Sequence, residues 1–167
     1  MVLVDEVINV IEKFAPVDLA EEWDNSGWQI NLGNKEANNV LVCLSVTPAV
    51  FQQALDNNCD LIIAHHPLIF NEFKSIKNET TTQRLIIECI KNNIQVYSAH
   101  TNLDCTQGGI NDTLCEKLGL INKETRNKFI KIASNSFTKF SMVTNGYLMT
   151  LDKMRGLRDV GLNTIQV

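Results

Sequence analysis

The sequence lacks the features that mark membrane and nucleic-acid-binding proteins. None of its 167 residues belongs to an apolar run approaching the roughly eighteen residues of a membrane-spanning helix. Asp5 and Glu6 stand where a secretory signal peptide would be positively charged. Fifteen Lys and Arg residues against nineteen Asp and Glu give a net charge of −4, without a dense basic cluster. Binding to a membrane or to nucleic acid is therefore disfavoured.

The sequence also lacks paired cysteine motifs. Its cysteines are odd in number and none forms Cys-x-x-Cys: Cys43, Cys59, Cys89, Cys105 and Cys115. Neither a disulfide framework nor a zinc ribbon is indicated. A reducing, cytoplasmic compartment is the predicted location.

Short apolar strands alternate with helices between residues 40 and 99. Strands are predicted for VLVCLSV (40–46), DLIIA (60–64) and IQVYSA (94–99), and helices for the segment from Pro48, with Thr47 as N-cap, and for residues 80–93. Connections of this length place successive strands parallel through right-handed crossovers. The predicted fold class is therefore α/β, with three α/β/α layers and a mainly parallel sheet buried on both faces.

The segments before residue 40 and after residue 99 are predicted to contain fewer strands and helices than the region between them. Apolar residues at helical spacing predict an amphipathic helix over residues 1–14, and the following stretch, AEEWDNSGWQINLGNKEANN, is interpreted as loop. A short helix should follow GGIND, capped by Asn111 or Asp112. Beyond Leu120 the pattern degrades. We expect one domain over 1–120 and an irregular or truncated segment over 121–167.

All three histidines of the chain follow predicted strands. His65 and His66 end the second strand before Pro67, and His100 follows the third strand with Asp104 four residues later. Because ligands bind beyond the carboxyl ends of parallel strands, these side chains should share one edge of the sheet. Imidazole and carboxylate suit Zn²⁺, Mn²⁺, Fe²⁺ or Ni²⁺, and adjacent histidines pointing in diverging directions would serve two ions. The alternative is a set of hydrogen-bonded rim residues.

Two further stretches carry polar groups that are candidates for ligand binding. Asp24 and Asn25 lie between two tryptophans and are candidate substrate-binding residues. The alternative is that the tryptophans pack while Asp24 or Asn25 caps a turn. The glycine pair before the helix at GGIND could also attract an anion through backbone amides, or be an ordinary turn.

Four segments together resemble a known family. AEEWDNSGWQINLG, DLIIAHHPLIF, VYSAHTNLD and GGINDTLCEKLGL, in this order, resemble the GTP cyclohydrolase I type 2-like family, also called NGG-one-interacting-factor-three-like. The resemblance covers about residues 1 to 120. It implies two divalent metal ions held by His65, His66 and Asp104, with His100 beside them as a catalytic residue. It also implies a homohexameric toroid and hydrolytic opening of the guanine ring of GTP.

The sequence departs from that family at two places. The family completes its metal site with a histidine and a glutamate from a C-terminal motif, whereas no histidine follows His100 here. Ser45 stands where many relatives carry aspartate. The expectations are therefore a metal-dependent hydrolase of a nucleotide or related small molecule, completed by a partner chain, or else a non-catalytic metal-binding scaffold or an inactive truncated fragment.

Overall fold

The computed structural model describes residues 2–118 and the backbone of residues 141–143 and 164–166. The chain divides into two compact units, residues 1–106 and 107–167. The predicted boundary near residue 120 and the predicted irregularity of 121–167 stay predictions, because most of that segment lies outside the described residues. The second unit contains helix α5 (Ile110–Lys117) and a parallel pair of strands, β7 (Ser141–Val143) and β8 (Thr164–Gln166).

The first unit contains six strands and four α-helices among the described residues. In chain order they are β1 (Val2–Leu3), α1 (Val4–Phe14), β2 (Gly27–Ile30), β3 (Glu36–Ala37), β4 (Val40–Cys43), α2 (Pro48–Asp56), β5 (Leu61–Ala64), α3 (Thr81–Lys91), β6 (Gln95–Ser98) and α4 (Thr101–Cys105). A short 3₁₀ helix spans Val17–Leu19. No helix in the described part of the chain is long and apolar enough to cross a membrane.

The main sheet has the strand order β2-β6-β5-β4. Strands β4, β5 and β6 are parallel, so the predicted, mainly parallel α/β fold is confirmed. Strand β2 pairs antiparallel with β6, with an irregularity in register between Trp28 and Ile30. The interpretation of residues 20–39 as loop is therefore wrong over β2 and the two-residue β3. Strand β2 is too short to show an alternating pattern, and its pairing depends on β6, which lies far along the chain.

Helices cover both faces of the sheet, which gives the three predicted layers. Ile62 and Val96 belong to the apolar cluster that includes residues of α2 and α3. Leu61 and Tyr97, on the opposite face, belong to the cluster that includes residues of α1. Both clusters meet on β5 and β6, which places the core on the two strands that carry the histidines.

The edge strand β4 is not covered on the α1 side. Val42 is 75% exposed and Leu44, just beyond the strand, is 65% exposed. The prediction of a sheet buried on both faces is wrong at this edge, because the apolar cluster containing α1 includes no β4 residue. Among the three parallel strands, only β5 and β6 are thus buried on both faces of the sheet.

Local sequence signals set the ends of the helices that lead into β5 and β6. Thr47 accepts a hydrogen bond from the backbone N–H of Val50 (3.2 Å) and precedes proline at the first helical position, as predicted. Thr80 caps α3 in the same way through a capping box. After each helix one asparagine has a positive φ, +48° at Asn58 and +56° at Asn93. Asparagine tolerates this left-handed conformation, which turns the chain into the next strand.

The predicted cap of α5 is not observed. The N-cap residue is Gly109, and no side chain caps the helix. Asp112 instead accepts a hydrogen bond from the Gly108 N–H (2.8 Å). Its carboxylate therefore supports the turn before the helix.

Candidate metal centre

Backbone hydrogen bonds link the end of β4 to the two adjacent histidines that follow β5. The His65 N–H donates to the Cys43 carbonyl (3.1 Å) and the His66 N–H donates to the Leu44 carbonyl (2.8 Å). These hydrogen bonds hold the backbone of both residues, and donation by consecutive residues to the same neighbouring strand ends the alternation of the regular ladder. Pro67, which has no N–H to donate, follows where the ladder ends.

The three histidine side chains form one cluster at the carboxyl edge of the sheet. Their ring centroids lie 5.0 Å apart for His65 and His66, 5.1 Å for His65 and His100, and 5.7 Å for His66 and His100. One ring nitrogen from each lies within 4.8 Å of the others. The prediction that the adjacent histidines diverge is wrong, because β5 ends at Ala64 and strict strand alternation does not extend past it.

Two of the histidines have one ring nitrogen fixed by an acceptor that cannot donate. His65 Nδ1 lies 2.9 Å from the Ala99 carbonyl oxygen, and His100 Nδ1 lies 2.8 Å from Asp24 Oδ1. A carbonyl and an ionised carboxylate only accept hydrogen bonds, so both Nδ1 atoms must carry the proton. Nε2 of each neutral ring is then left with a free lone pair, which is the form that binds metal.

The third histidine has a partner of a different kind. His66 Nδ1 lies 2.7 Å from the hydroxyl oxygen of Ser45, the residue that follows β4 by two positions. A hydroxyl can donate or accept. Ser45 therefore holds the ring in place without dictating which of its nitrogens carries the proton.

Asp104 lies beside the cluster on the short helix α4. Its Oδ1 atom is 3.9 Å from His65 Nε2, and its backbone N–H donates to the His100 carbonyl (3.2 Å). One helical turn thus brings His100 and Asp104 to the same side. The structure therefore brings together all four residues that the sequence placed at this edge.

The side chain of Asp24 is fully buried, and its carboxylate accepts several hydrogen bonds. Its carboxylate accepts from the hydroxyls of Ser26 and Thr101, from the backbone N–H of Thr101 and Asn25, and from the His100 ring. Burial opposes ionisation, but the hydrogen bonds outweigh it and lower the pKa of Asp24 to about 2. The substrate-binding role predicted for Asp24 is untested. In the structure the carboxylate binds the His100 ring and Thr101.

Asn25 ties the loop around Asp24 to the loop that follows Pro67. Its side-chain N–H donates to the Ile69 carbonyl (2.6 Å). Gln29 completes the link, since its side chain donates to the Asn25 carbonyl (2.7 Å) and accepts from the Ile69 N–H (2.9 Å). Substrate binding by Asn25 is likewise untested. The sequence gives no signal for Gln29, and it marks Ser45 only as a departure from the family, because the partners of both residues lie in other segments of the chain.

The two tryptophans have different environments. Trp28 packs edge-on against Tyr97, with ring centroids 5.5 Å apart. Trp23 is 60% exposed, and its ring lies 6.2 Å from that of Phe70 and 6.4 Å from that of His100. Trp28 therefore packs in the interior, as the alternative interpretation predicts, whereas Trp23 is exposed beside His100.

We expect the metal-free protein to lose stability as the pH falls below about 6.5. Desolvation, together with the neighbouring His65 and His100, lowers the pKa of His66, against an opposing effect of Asp104. The unfolded chain then binds a proton at a higher pH than the folded chain, so this contribution to stability is complete above the unfolded pKa and is lost below it. Thermal unfolding in chelator between pH 8 and pH 5 should show a steeper decline for the wild type than for His66→Gln. An equal decline of thermal stability with pH in both proteins would show that His66 does not cause the pH dependence.

The family of the chain follows from comparison of its whole length with known proteins. The family model described as Duf34/NIF3 (NGG1p interacting factor 3) matches residues 2–161. The chain belongs to the DUF34/NIF3 family. This agrees with the resemblance seen in the four sequence segments.

Curated relatives of this NIF3-family chain are named GTP cyclohydrolase 1 type 2 homologs. The Bacillus subtilis protein is 45% identical over 119 residues, which are 71% of this chain and 32% of the relative. The Clostridium perfringens protein is 44% identical over 115 residues, 69% of this chain and 44% of the relative. The chain thus spans between about a third and somewhat under half of the length of these relatives.

Solved structures of NIF3-related proteins share the fold. A Bacillus cereus protein related to NIF3 aligns with a TM-score of 0.66 at 44% identity, covering 71% of this chain and 32% of that protein. Reduced HcgD from Methanocaldococcus jannaschii aligns with a TM-score of 0.64 at 34% identity, covering 70% and 47%. The α/β architecture is therefore shared with solved members of the family.

Proposed function

We propose that this chain binds divalent metal ions at His65, His66 and Asp104, with His100 beside them. The observation that carries the proposal is the hydrogen bonding of the rings: Nδ1 of every histidine has a protein partner. That pattern leaves Nε2 as the available ligand atom, and it is the arrangement in which proteins orient metal-binding imidazoles.

The distances within the cluster suit such an ion. Zn–N bonds of about 2.0 Å in tetrahedral geometry place ligand nitrogens about 3.3 Å apart. The ring nitrogens lie within 4.8 Å of one another. Movements of about 1 Å by each side chain would bring the nitrogens to the separation that a bound ion requires. We propose two ions per chain because the family resemblance implies two, and Zn²⁺, Mn²⁺, Fe²⁺ and Ni²⁺ all accept nitrogen and carboxylate ligands.

The reaction we propose is hydrolysis of a nucleotide or related small molecule, in keeping with the name of the curated relatives. A bound divalent ion would polarise the substrate and lower the pKa of a coordinated water. His100 is the residue proposed to accept a proton, at Nε2, because its Nδ1 is already committed to Asp24. The proposed setting is the cytoplasm, and the proposed assembly is a homohexamer.

A second candidate is a metal-binding scaffold without turnover. The observation that favours it is the small number of ligands, since the whole sequence contains three histidines and Asp104 is the carboxylate at the cluster. Two ions sharing these groups would rely on water or on a partner chain for their remaining positions. A scaffold should bind metal ions and protein partners but should not hydrolyse GTP.

The metal content of the purified chain tests the proposal. We expect two ions per chain by elemental analysis after loading with Zn²⁺, Mn²⁺, Fe²⁺ or Ni²⁺ and removal of excess. Turnover of GTP that disappears with chelator would favour the hydrolase over the scaffold. Absence of bound metal under all four loading conditions would contradict both candidates.

A further inference from the structure

Two exposed aromatic side chains lie next to the histidine cluster. Trp23 is 60% exposed and Phe70 is 52% exposed, and their ring centroids lie 6.2 Å apart at an interplanar angle of 55°. The Trp23 ring also lies 6.4 Å from the His100 ring, at an interplanar angle of 83°. Contacts within the protein therefore leave both aromatic side chains open to a ligand, at the edge of the candidate site.

Hydrogen bonds hold the backbone beside each of these aromatic residues. Trp23 precedes Asp24, whose side chain is fully buried and bonded to the His100 ring (2.8 Å). Phe70 follows Ile69, whose N–H and carbonyl are bonded to side chains of residues 25–29 at 2.9 Å and 2.6 Å. Aromatic residues on loops that are already fixed lose little conformational freedom when a ligand binds, and this favours affinity.

We propose that Trp23, with Phe70 beside it, is a stacking platform for a nucleobase of the substrate. The inference deepens the proposed function and rests on it for the reaction that follows binding. Stacking of a base on an aromatic side chain needs an open ring face and no matched hydrogen-bond donor, because every base has a π-face. The exposed indole of Trp23 meets that requirement.

The geometry of the pair favours stacking on one ring over insertion between two. Rings that enclose a base between them lie parallel and about 7 Å apart, twice the roughly 3.5 Å contact distance between carbon atoms. Trp23 and Phe70 lie 6.2 Å apart and are tilted by 55°, so they form no parallel slot. Phe70 instead packs against the indole in a tilted contact and supports it.

The platform is close enough to the cluster for one small molecule to contact both. The Trp23 ring lies 6.4 Å from that of His100, which lies 5.1 Å from that of His65. Both distances are shorter than a nucleoside, so a base on Trp23 and a reacting group at the histidines can belong to one molecule. The net charge of −4, without a dense basic cluster, disfavours a polynucleotide. The occupant we infer is therefore a single nucleoside or nucleotide.

The first test is tryptophan fluorescence of the metal-free protein during titration with adenosine. The chain contains two tryptophans, and Trp28 packs edge-on against Tyr97, so a stacked base should quench the emission of Trp23. We expect saturable quenching by adenosine in the presence of chelator, and none by ribose, which is adenosine without its base. Absence of saturable quenching by adenosine would overturn the proposal.

The second test is the affinity of Trp23→Ala and Trp23→Phe for adenosine, measured by NMR chemical-shift titration in chelator. We expect Trp23→Ala to bind roughly 5-fold to 100-fold more weakly than the wild type, and Trp23→Phe to lose less because it keeps a smaller ring. Both variants should fold, because Trp23 belongs to neither apolar cluster of the core.

Phe14→Ala is the matched control for these variants. Phe14 is an aromatic residue at the end of α1 that is 51% exposed, and its truncation should leave adenosine affinity unchanged. An adenosine affinity of folded Trp23→Ala within about twofold of the wild type would refute the platform.

The two tests separate the platform from the proposed metal chemistry. Both are carried out in chelator, so neither depends on a bound ion or on turnover. Quenching of Trp23 by adenosine in a chain that binds no metal under any loading condition would refute the proposed function and support the platform. Metal binding by a chain whose Trp23→Ala variant keeps its adenosine affinity would refute the platform alone.

Discussion

Replacing His65 and His66 together by alanine should reduce the metal content of the chain to background. The two residues supply two of the three ring nitrogens of the cluster, and with both removed only His100 and Asp104 remain at the edge of the sheet. Two ligands hold a divalent ion weakly compared with three or four. We therefore expect an affinity loss larger than the roughly 10-fold to 100-fold that follows loss of a ligand's hydrogen-bond partner, measured by elemental analysis and by calorimetry with Zn²⁺.

The fold should survive this change, because neither side chain belongs to the two apolar clusters of the core. Gln52→Ala with Gln53→Ala removes an adjacent pair of exposed polar side chains from α2 and serves as the matched control. Circular dichroism should be the same for both double variants. Retention of wild-type metal content by His65→Ala with His66→Ala would place the ion elsewhere in the chain and refute the assigned site.

Leu61→Ala should lower the free energy of unfolding by about 2 to 5 kcal/mol. Leu61 is 0% exposed and belongs to the same apolar cluster as Val4, Ile8 and Tyr97. Truncation removes apolar area from the core and leaves a cavity that the surrounding sheet and helix cannot fill completely. Because a domain of this size is stable by about 5 to 15 kcal/mol, the loss would be a large part of the total.

Val42→Ala is the matched control for this prediction. Val42 lies on the neighbouring strand and pairs with Ile63, so it shares a sheet face with Leu61, but it is 75% exposed. Its truncation should change the free energy by less than about 1 kcal/mol. Urea unfolding followed by circular dichroism measures both variants. Equal losses in the free energy of unfolding would show that Leu61 is no more deeply buried than Val42.

Much of the central fold was predictable because its signals are local. Each of β4, β5 and β6 is a short apolar run, and the helices between them carry their own caps at Thr47 and Thr80. Strand β2 and helix α4 could not be found in this way. Strand β2 is defined by pairing with β6, and α4 has only five residues, too few for a periodic pattern to emerge.

The members of the candidate site were predictable, whereas their partners were not. His65, His66, His100 and Asp104 follow strands whose carboxyl ends meet at one edge, so topology alone brings them together. The contacts that orient the rings join residues far apart in sequence, such as Asp24 and His100. Such contacts arise from tertiary structure, and a single sequence contains no local pattern that reveals them.

The hydrogen bonds of the histidine rings also connect the cluster to the register of the sheet. Ser45 follows β4, His65 and His66 follow β5, and Ala99 and His100 follow β6. A slip of one residue between neighbouring strands would exchange the two faces of the slipped strand, and the three rings would no longer meet. An ion held at this edge would therefore bind only chains whose strands are correctly aligned, and by mass action it would draw misaligned forms towards the native one.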